Sequence, residues 1–344
     1  MITIGIDPHK SSLTAVAVDP VGRELSSIRL SVTGTMGQQL LAWAAPWPTR
    51  TWAVEGAHGL GHGVSQLLAA GGEHVDDVPA KLAARARLLG GGSARKTDHT
   101  DAASVAAVAQ RYERLLAVAA EGDDVLLRLL SDRRDDLVGE RTRHLNRLHV
   151  LLRDLHPGGA KRDLSTAQAG KLLSGIRPVT AADAQRKALS RDILADIRRL
   201  DAKIKANTAE LTRALAEHGS TLTDIHGVGP VLAAKIVAHT GDVRRFPSRH
   251  HFASYCGTAP IEASSGDLRR HRLSRGGNRQ LNTAVHVVAL CQARDPGPGQ
   301  SHYRRKLAER KTPAEARRSL KRQLSNIIYK RLLTDAQRRL PPAT

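Results

Sequence analysis

ITIGIDPHKSSLTAVAVDPVGRELSSIRLSV, residues 2 to 32, holds three short apolar or β-branched runs at 2–7, 13–19 and 24–32. Only Pro8-His9-Lys10 and Pro20-Val21-Gly22-Arg23 interrupt them. Runs of this length and composition, bounded by Pro and Gly, read as strands, and their short connections predict a meander. Outward from it the pattern alternates: a helix near 36–45, a strand Thr51-Trp52-Ala53-Val54-Glu55, a helix near 60–70, a strand near 74–78, and helices near 80–88 and 99–111. That order predicts a mixed α/β sheet domain over residues 1–115.

From about 123 to 156, Leu126, Leu130, Leu137, Leu145, Leu148, Leu152 and Leu155 recur at helical spacing until His156-Pro157-Gly158-Gly159 breaks the pattern. After Pro178, Ile193, Ile197, Leu200, Ile204, Leu211 and Leu215 follow at intervals of 4, 3, 4, 7 and 4, a near-heptad seam. An intramolecular helical hairpin and an intermolecular coiled coil both satisfy that period, so 116–218 reads as a helical connector. A third zone, 219–344, is rich in Gly, Arg and His. Its helical runs are at 230–240, 248–256, 278–293 and 314–338, and Asp295-Pro296-Gly297-Pro298-Gly299 reads as a surface loop. The fold class expected is thus α/β plus α.

The chain carries a formal charge of +20, which favours a polyanionic partner over a small metabolite. Residues 1–110 hold 9 Lys/Arg against 9 Asp/Glu, 111–242 hold 22 against 18, and 243–344 hold 22 against 6. The gradient places a nucleic-acid surface in the last hundred residues; a merely solubilising basic exterior is the plainer alternative. Aromatic residues make up only 3%, so base stacking is not the main mode of recognition. Cys256 and Cys291 have no CxxC partner, which argues against a disulfide framework or a thiolate zinc site. With neither a secretory leader nor a membrane-spanning run, the chain is expected to be soluble and cytoplasmic, with no membrane partner.

Four carboxylates stand out. Asp7 closes the first strand and Glu55 a later one, while Asp98 and Asp101 lie three apart at the start of a helix in Lys96-Thr97-Asp98-His99-Thr100-Asp101-Ala102. Carboxylates converging from two strands and one helix face repel unless neutralised, and divalent cations with oxygen ligands are the usual solution. Two such ions about 4 Å apart serve phosphodiester chemistry. The plainer alternative makes Asp98 an N-cap and Asp101 a first-turn charge; against it stands the ribonuclease-H-like order of elements. His9, His58, His62 and His99 read as surface or loop residues.

In the basic segment, Ile225-His226-Gly227-Val228-Gly229-Pro230 before an apolar run has the form of a helix-hairpin-helix turn. Gly227 and Gly229 would let backbone approach a phosphate, though the same glycines also serve a tight interhelical turn. Further on, Ser264-Ser265-Gly266 precedes Arg269, Arg270, His271, Arg272, Leu273, Ser274, Arg275, Gly276, Gly277, Asn278 and Arg279. Arginines beside a serine can bind the non-bridging oxygens of a phosphodiester and leave the hydroxyl placed to attack phosphorus. A basic loop that only binds the backbone is the alternative. Arg304-Arg305-Lys306, Arg317-Arg318 and Lys321-Arg322 read as phosphate contacts on helices.

With these residues in view, the sequence resembles the DEDD-type insertion-sequence transposases related to the Piv DNA invertases, some of which are guided by a bridge RNA. Gly5-Ile6-Asp7, Glu55, and Lys96-Thr97-Asp98 with Asp101-Ala102 look like that family's acidic tetrad in its RuvC-like domain. His226-Gly227-Val228-Gly229-Pro230, Gly257 with Ala259-Pro260, Ser265-Gly266, and Ser274-Arg275-Gly276-Gly277-Asn278 look like its C-terminal transposase domain. The resemblance implies a transposase or recombinase with Ser265 as nucleophile. Its neighbour Ser264 leaves a one-residue ambiguity, decided by Ser265 directly preceding Gly266. It also implies Mg²⁺ (or Mn²⁺) held by Asp7, Glu55, Asp98 and Asp101, and DNA contacts from Gly227, Gly229, Arg269, Arg270, Arg272, Ser274, Arg275, Asn278 and Arg279. The implied partners are DNA, a guide RNA, and further copies of the chain in a dimer to tetramer with sites shared between subunits. One departure is Gly56-Ala57-His58-Gly59 after Glu55, where the family commonly has Ala-Thr-Gly and an aromatic. The competing readings are a RuvC-like endonuclease that uses activated water and a catalytically inactive nucleic-acid-binding derivative.

Overall fold

The computed structural model describes residues 1–89 (89 backbone only), 97–112, 115–161, 164–262, 271–272 (backbone only) and 276–339. It divides into two compact units, Met1–Glu121 and Gly122–Thr344.

The first unit is built on a six-stranded sheet of β1 (Ile2–Pro8), β2 (Ser12–Val18), β3 (Glu24–Ser31), β4 (Arg50–Glu55), β5 (Val75–Val78) and β6 (Leu116–Ala117) in the order β3-β2-β1-β4-β5-β6. The first three strands form the expected meander, β1 to β2 and β2 to β3 antiparallel. β4 then joins β1 in parallel and β5 joins β4 in parallel, with β6 antiparallel at the edge. A meander extended by parallel strands on the far side of β1 is the ribonuclease-H-like arrangement. β1 is apolar almost throughout because both of its faces are covered, as parallel pairing demands. On one face Ile4, Ile6, Trp52 and Val54 pack against α1 (Met36–Trp43) and α2 (His62–Ala70) through Met36, Leu40, Val64 and Leu68. On the other, Ala53 and Val78 meet α3 (Ala80–Leu89) and α4 (Asp98–Arg111), and Val16 and Val18 meet Ala102 and Ala106 of α4.

The second unit is helical. α5 (Asp123–Leu155) and α7 (Ala181–His218) run antiparallel, joined by Asn207 Nδ2 donating to the Leu130 carbonyl (3.2 Å) and by ion pairs from Arg141 to Asp201 and from His144 to Asp196 (3.6 Å). α5 is therefore an intramolecular partner for the seam on α7. α6 (Thr166–Gly175), which sequence periodicity missed, packs Ala169 and Leu173 against Leu148, Leu152, Leu194 and Ile197. Leu127 of α5 and Leu211 and Leu215 of α7 share one core with α8 (Pro230–Thr240), α9 (Arg249–Tyr255), α10 (Arg279–Arg294) and α12 (Pro313–Arg338). A two-residue strand pair, β7 (Ile261–Glu262) with β8 (His271–Arg272), leaves this core. Pro298 opens α11 (Pro298–Ala308) and does not belong to a loop. Proline is tolerated at the first helical position, so the Pro-Gly reading of 295–299 ended the turn two residues late.

Burial lowers the imidazole pKa of His218 and of His239 below the ordinary 6.5, with Arg339 adding to the effect on His218. Both rings are kept neutral by the fold, so the unfolded chain takes up these protons first. Their contribution is complete above about pH 7 and is lost as pH falls through 6.5 toward the folded-state values. The melting temperature of the second unit should be level from pH 8 to 7 and fall steadily from 6.5 to 5; His239→Gln should flatten that fall.

Candidate active site

Asp7 owes its position to strand register. Ile6 and Val54 are partners in the parallel β1–β4 ladder, so the next residues, Asp7 and Glu55, end adjacent strands on the same side. Gly5, two residues before Asp7, lies on that side too. A Cβ on Gly5 would fall 2.5 Å from the Ala106 amide nitrogen and still closer to the Ala102 carbonyl oxygen. The bare glycine lets the α4 backbone lie against β1, and this carries the start of α4 to the end of the strand.

α4 begins where it does because Thr97 caps it. The Thr97 hydroxyl accepts from the Thr100 amide (3.1 Å) and Thr100 Oγ1 accepts from the Thr97 amide (3.1 Å). The cap is thus Thr97, not Asp98, and the Asp98 carboxylate is free to turn toward the strand. Its Oδ1 stands 3.1 Å from His9 Nε2, and its Oδ2 is 3.0 Å from an Arg29 guanidinium nitrogen. His9 Nε2 is also 3.1 Å from Asp7 Oδ2. Asp7, His9 and Asp98 form the metal-competent triplet among the described residues, their ligand atoms all within 4.8 Å of one another. Asp101, buried one turn on, pairs with Arg87. Glu55, half-buried at its strand end, and Asp101 lie outside the triplet.

His9 is the candidate site residue that the sequence reading passed over. It is not a bystander loop side chain, since its ring bridges two carboxylates. The signal was its spacing: Asp7 and His9 alternate across Pro8 and therefore share a side. His58, His62 and His99 instead pair singly with Asp77, Glu121 and Glu24.

Two carboxylates that face each other are a donor pair that fits a divalent cation. The side chains of His9 and Arg29 are 41% and 66% exposed, so their contacts hold the carboxylates weakly and can yield to a divalent cation. His9→Ala should destabilise the metal-free first unit by up to about 1 kcal/mol, and added Mg²⁺ should restore it. A melting titration with and without Mg²⁺ checks this.

In the second unit, Gly227 has φ +82° and a Cβ on it would lie 3.1 Å from Cys291 Cβ, so only glycine fits the turn. Gly229 caps α8 with Pro230 at its first position. The Gln292 amide donates to the His226 carbonyl (2.8 Å), fastening the turn to α10. Asn278 caps α10, its Oδ1 accepting from the Leu281 amide at 3.0 Å and its Nδ2 donating to the Tyr255 hydroxyl at 3.3 Å. Arg279 follows it, exposed. The backbone of Arg272 pairs with Ile261 in β8. Ser265, Arg269, Arg270, Ser274 and Arg275 lie outside the described residues.

Of the tail cations, Arg304 is exposed, while Arg305 and Lys306 face Glu309. Lys321 is not a surface phosphate contact. It is buried, 8% exposed, and its ammonium donates to Asn282 Oδ1 at 2.6 Å. Cys256 is buried too, its thiol pushed up to about 12 by desolvation, which suits packing and not reactivity. Among the described residues no helix is long and apolar enough to cross a membrane.

A family model described as "Transposase IS116/IS110/IS902 family" matches residues 219–304, and a DEDD-type IS110 model described as "Transposase" matches residues 4–157. The chain is 28% identical to the "Insertion element IS116 uncharacterized 44.8 kDa protein" of Streptomyces clavuligerus, over all of this chain and 98% of that one. It is 26% identical to the "Insertion element IS900 uncharacterized 42 kDa protein" of Mycobacterium paratuberculosis, over 94% of each. Among solved structures, T. thermophilus RuvC in complex with a Holliday junction substrate aligns with 34% of this chain and 99% of its own, at 17% identity and a TM-score of 0.28.

Proposed function

The chain belongs to the IS116/IS110/IS902 transposase family and is thus a DNA-recombining enzyme, and from that premise we propose that it exchanges DNA strands through Ser265, assisted by a divalent cation. The observation that carries this reading is the meeting of the Asp7 and Asp98 carboxylates across His9 at the end of β1.

A bound Mg²⁺ or Mn²⁺, held by Asp7 and Asp98 with Glu55 and Asp101 completing the acidic set, would supply charge neutralisation and Lewis acidity at the scissile phosphate. The chain's own residues do the rest. Arg269, Arg270, Arg272, Arg275 and Arg279 bind non-bridging phosphate oxygens, and Ser274 and Asn278 line the same segment. The Ser265 hydroxyl gives up its proton as its oxygen bonds to phosphorus. One phosphorus–sugar oxygen bond breaks, and the released sugar oxygen takes up a proton. Rejoining reverses the exchange with a hydroxyl from another strand, so the phosphodiester bond is conserved and no outside energy source is needed. Gly227 and Gly229 bring the turn before α8 close to a backbone phosphate.

Because the first unit is neutral in sequence and the last hundred residues strongly basic, DNA and a structured guide RNA are assigned to the second unit. The long α5 and α7 support assembly into a dimer or tetramer in which acidic and serine-bearing segments come from different copies. The alternative, a RuvC-like endonuclease in which the carboxylates activate water, draws on the fact that the acidic triplet forms without any residue of the second unit.

The test places the gene with its native flanking DNA in a bacterial host and assays excised-element junctions for wild type, Ser265→Ala and Asp98→Ala. Junctions from wild type alone are expected. Undiminished junctions from Ser265→Ala reject the nucleophile and leave the water-dependent reading.

A further inference from the structure

The β7–β8 strand pair leaves the second unit through a single root where chain entry and exit cross. Gly257 (φ +64°) and Gly277 (φ +88°) meet there. A Cβ on Gly277 would lie 2.5 Å from the Tyr255 carbonyl oxygen and 2.8 Å from the Gly257 nitrogen. The Asn278 amide donates to that same Tyr255 carbonyl (2.6 Å), and the Thr258 amide to Ala253 O (2.8 Å). One side chain spans the crossing. Asn282, a turn into α10, donates through Nδ2 to the Cys256 carbonyl (2.8 Å) and the Gly257 carbonyl (3.0 Å).

That amide works only in one orientation, and Lys321 sets it. The Lys321 ammonium has donors and no acceptor, so its 2.6 Å bond requires Asn282 to present Oδ1 to α12 and Nδ2 to the two carbonyls. One helical turn along α12, Ser325 accepts from the Thr258 hydroxyl (3.0 Å), tying the entry strand a second time. Among the described residues no carboxylate pairs with Lys321, and burial lowers its pKa. A charge buried without an opposite charge is costly, and a methionine would fill the same space without it. The lysine therefore answers a requirement for a donor, not for volume.

We infer that Lys321 and Asn282 are positioning residues: they lock the root of the β7–β8 pair, and strand exchange through Ser265, which lies between the two strands in sequence, depends on that lock. This rests on the reading of Ser265 as nucleophile. Both act through the root of the strand pair.

Asn282→Asp discriminates this role from plain structural support. An aspartate keeps, and charges, the bond to Lys321 but offers the Cys256 and Gly257 carbonyls an acceptor in place of two donors. Lys321→Met removes the orienting donor while keeping the volume. The full-length chain is assayed for melting temperature, for amide exchange at Thr258 and Asn278, for affinity to DNA carrying the element ends, and for junction formation from a plasmid bearing the native locus. Expected in at least one variant that melts within a few degrees of wild type are a tenfold or greater rise in exchange at both amides and a tenfold or greater fall in junctions, with affinity falling less than junction yield. Wild-type junction yield in every variant that melts within a few degrees of wild type overturns the proposal. So does a fall in yield that only follows a fall in melting temperature in both. Ser265→Ala, run alongside, separates the two readings: if it still forms junctions the nucleophile assignment fails, whereas the exchange rates report on the root independently.

Discussion

Asp7→Asn should lower strand exchange by about two to four orders of magnitude, the equivalent of the several kcal/mol that metal-assisted charge stabilisation supplies at a phosphoryl centre. The substitution keeps the shape of the side chain and removes its charge. Asp7 is 7% exposed at the end of β1, and its carboxylate faces Asp98 across His9 at 3.1 Å from each. Without that charge the acidic set is short of one ligand, while the fold relaxes, since two like charges no longer face each other. The melting temperature of the metal-free variant should be unchanged or slightly raised even as junction formation collapses. A fall of less than tenfold in a folded variant would remove Asp7 from the chemistry.

Gly5→Val should act through the fold instead. The new side chain would be driven into the backbone of α4 at Ala102 and Ala106, where no flexible side chain can give way. The helix must lift from β1, taking Asp98 and Asp101 with it and opening the contacts of Val16 and Val18 with Ala102 and Ala106. Overpacking ordinarily costs 1–3 kcal/mol, and a clash with backbone belongs at or above the upper end, at least about 3 kcal/mol. Hydrogen exchange across β1, β2 and α4 should accelerate, and Mg²⁺ should no longer raise the melting temperature of this variant. Retained protection in α4 would mean that the close approach is not what docks it.

The sheet was legible because its strands are nearly continuous apolar runs broken by Pro and Gly, and the breaks fall where the chain turns: predicted strands at 2–7, 13–19 and 24–32 became Ile2–Pro8, Ser12–Val18 and Glu24–Ser31. α5 and α7 were equally legible from period. Sequence could not say which surface covers the seam on α7, because the same leucines serve any partner; the structure places α5 there. α6 and α11 escaped the reading of apolar period, and α11 opens on Pro298, a residue read as part of a surface loop. In the acidic site, Asp7 and Asp98 were found by residue type and element order. His9 was missed because its role depends on α4 docking against Gly5, a contact between positions far apart in sequence. Lys321 was misread for a related reason: in a chain this basic a lysine on a helix looks like surface, and only packing shows its ammonium turned inward onto Asn282.

The most direct test of serine-dependent exchange is to trap the enzyme on its substrate. The full-length chain, incubated with Mg²⁺, native element-end DNA and the RNA transcribed from the same locus, is denatured, digested and searched by mass spectrometry for a nucleotide-linked peptide. The account predicts a phosphodiester on Ser265, present in wild type and absent from Ser265→Ala, which should also fail to cut. Cut DNA with no linked peptide, produced equally by Ser265→Ala, would contradict it and assign the cleavage to water activated at Asp7 and Asp98.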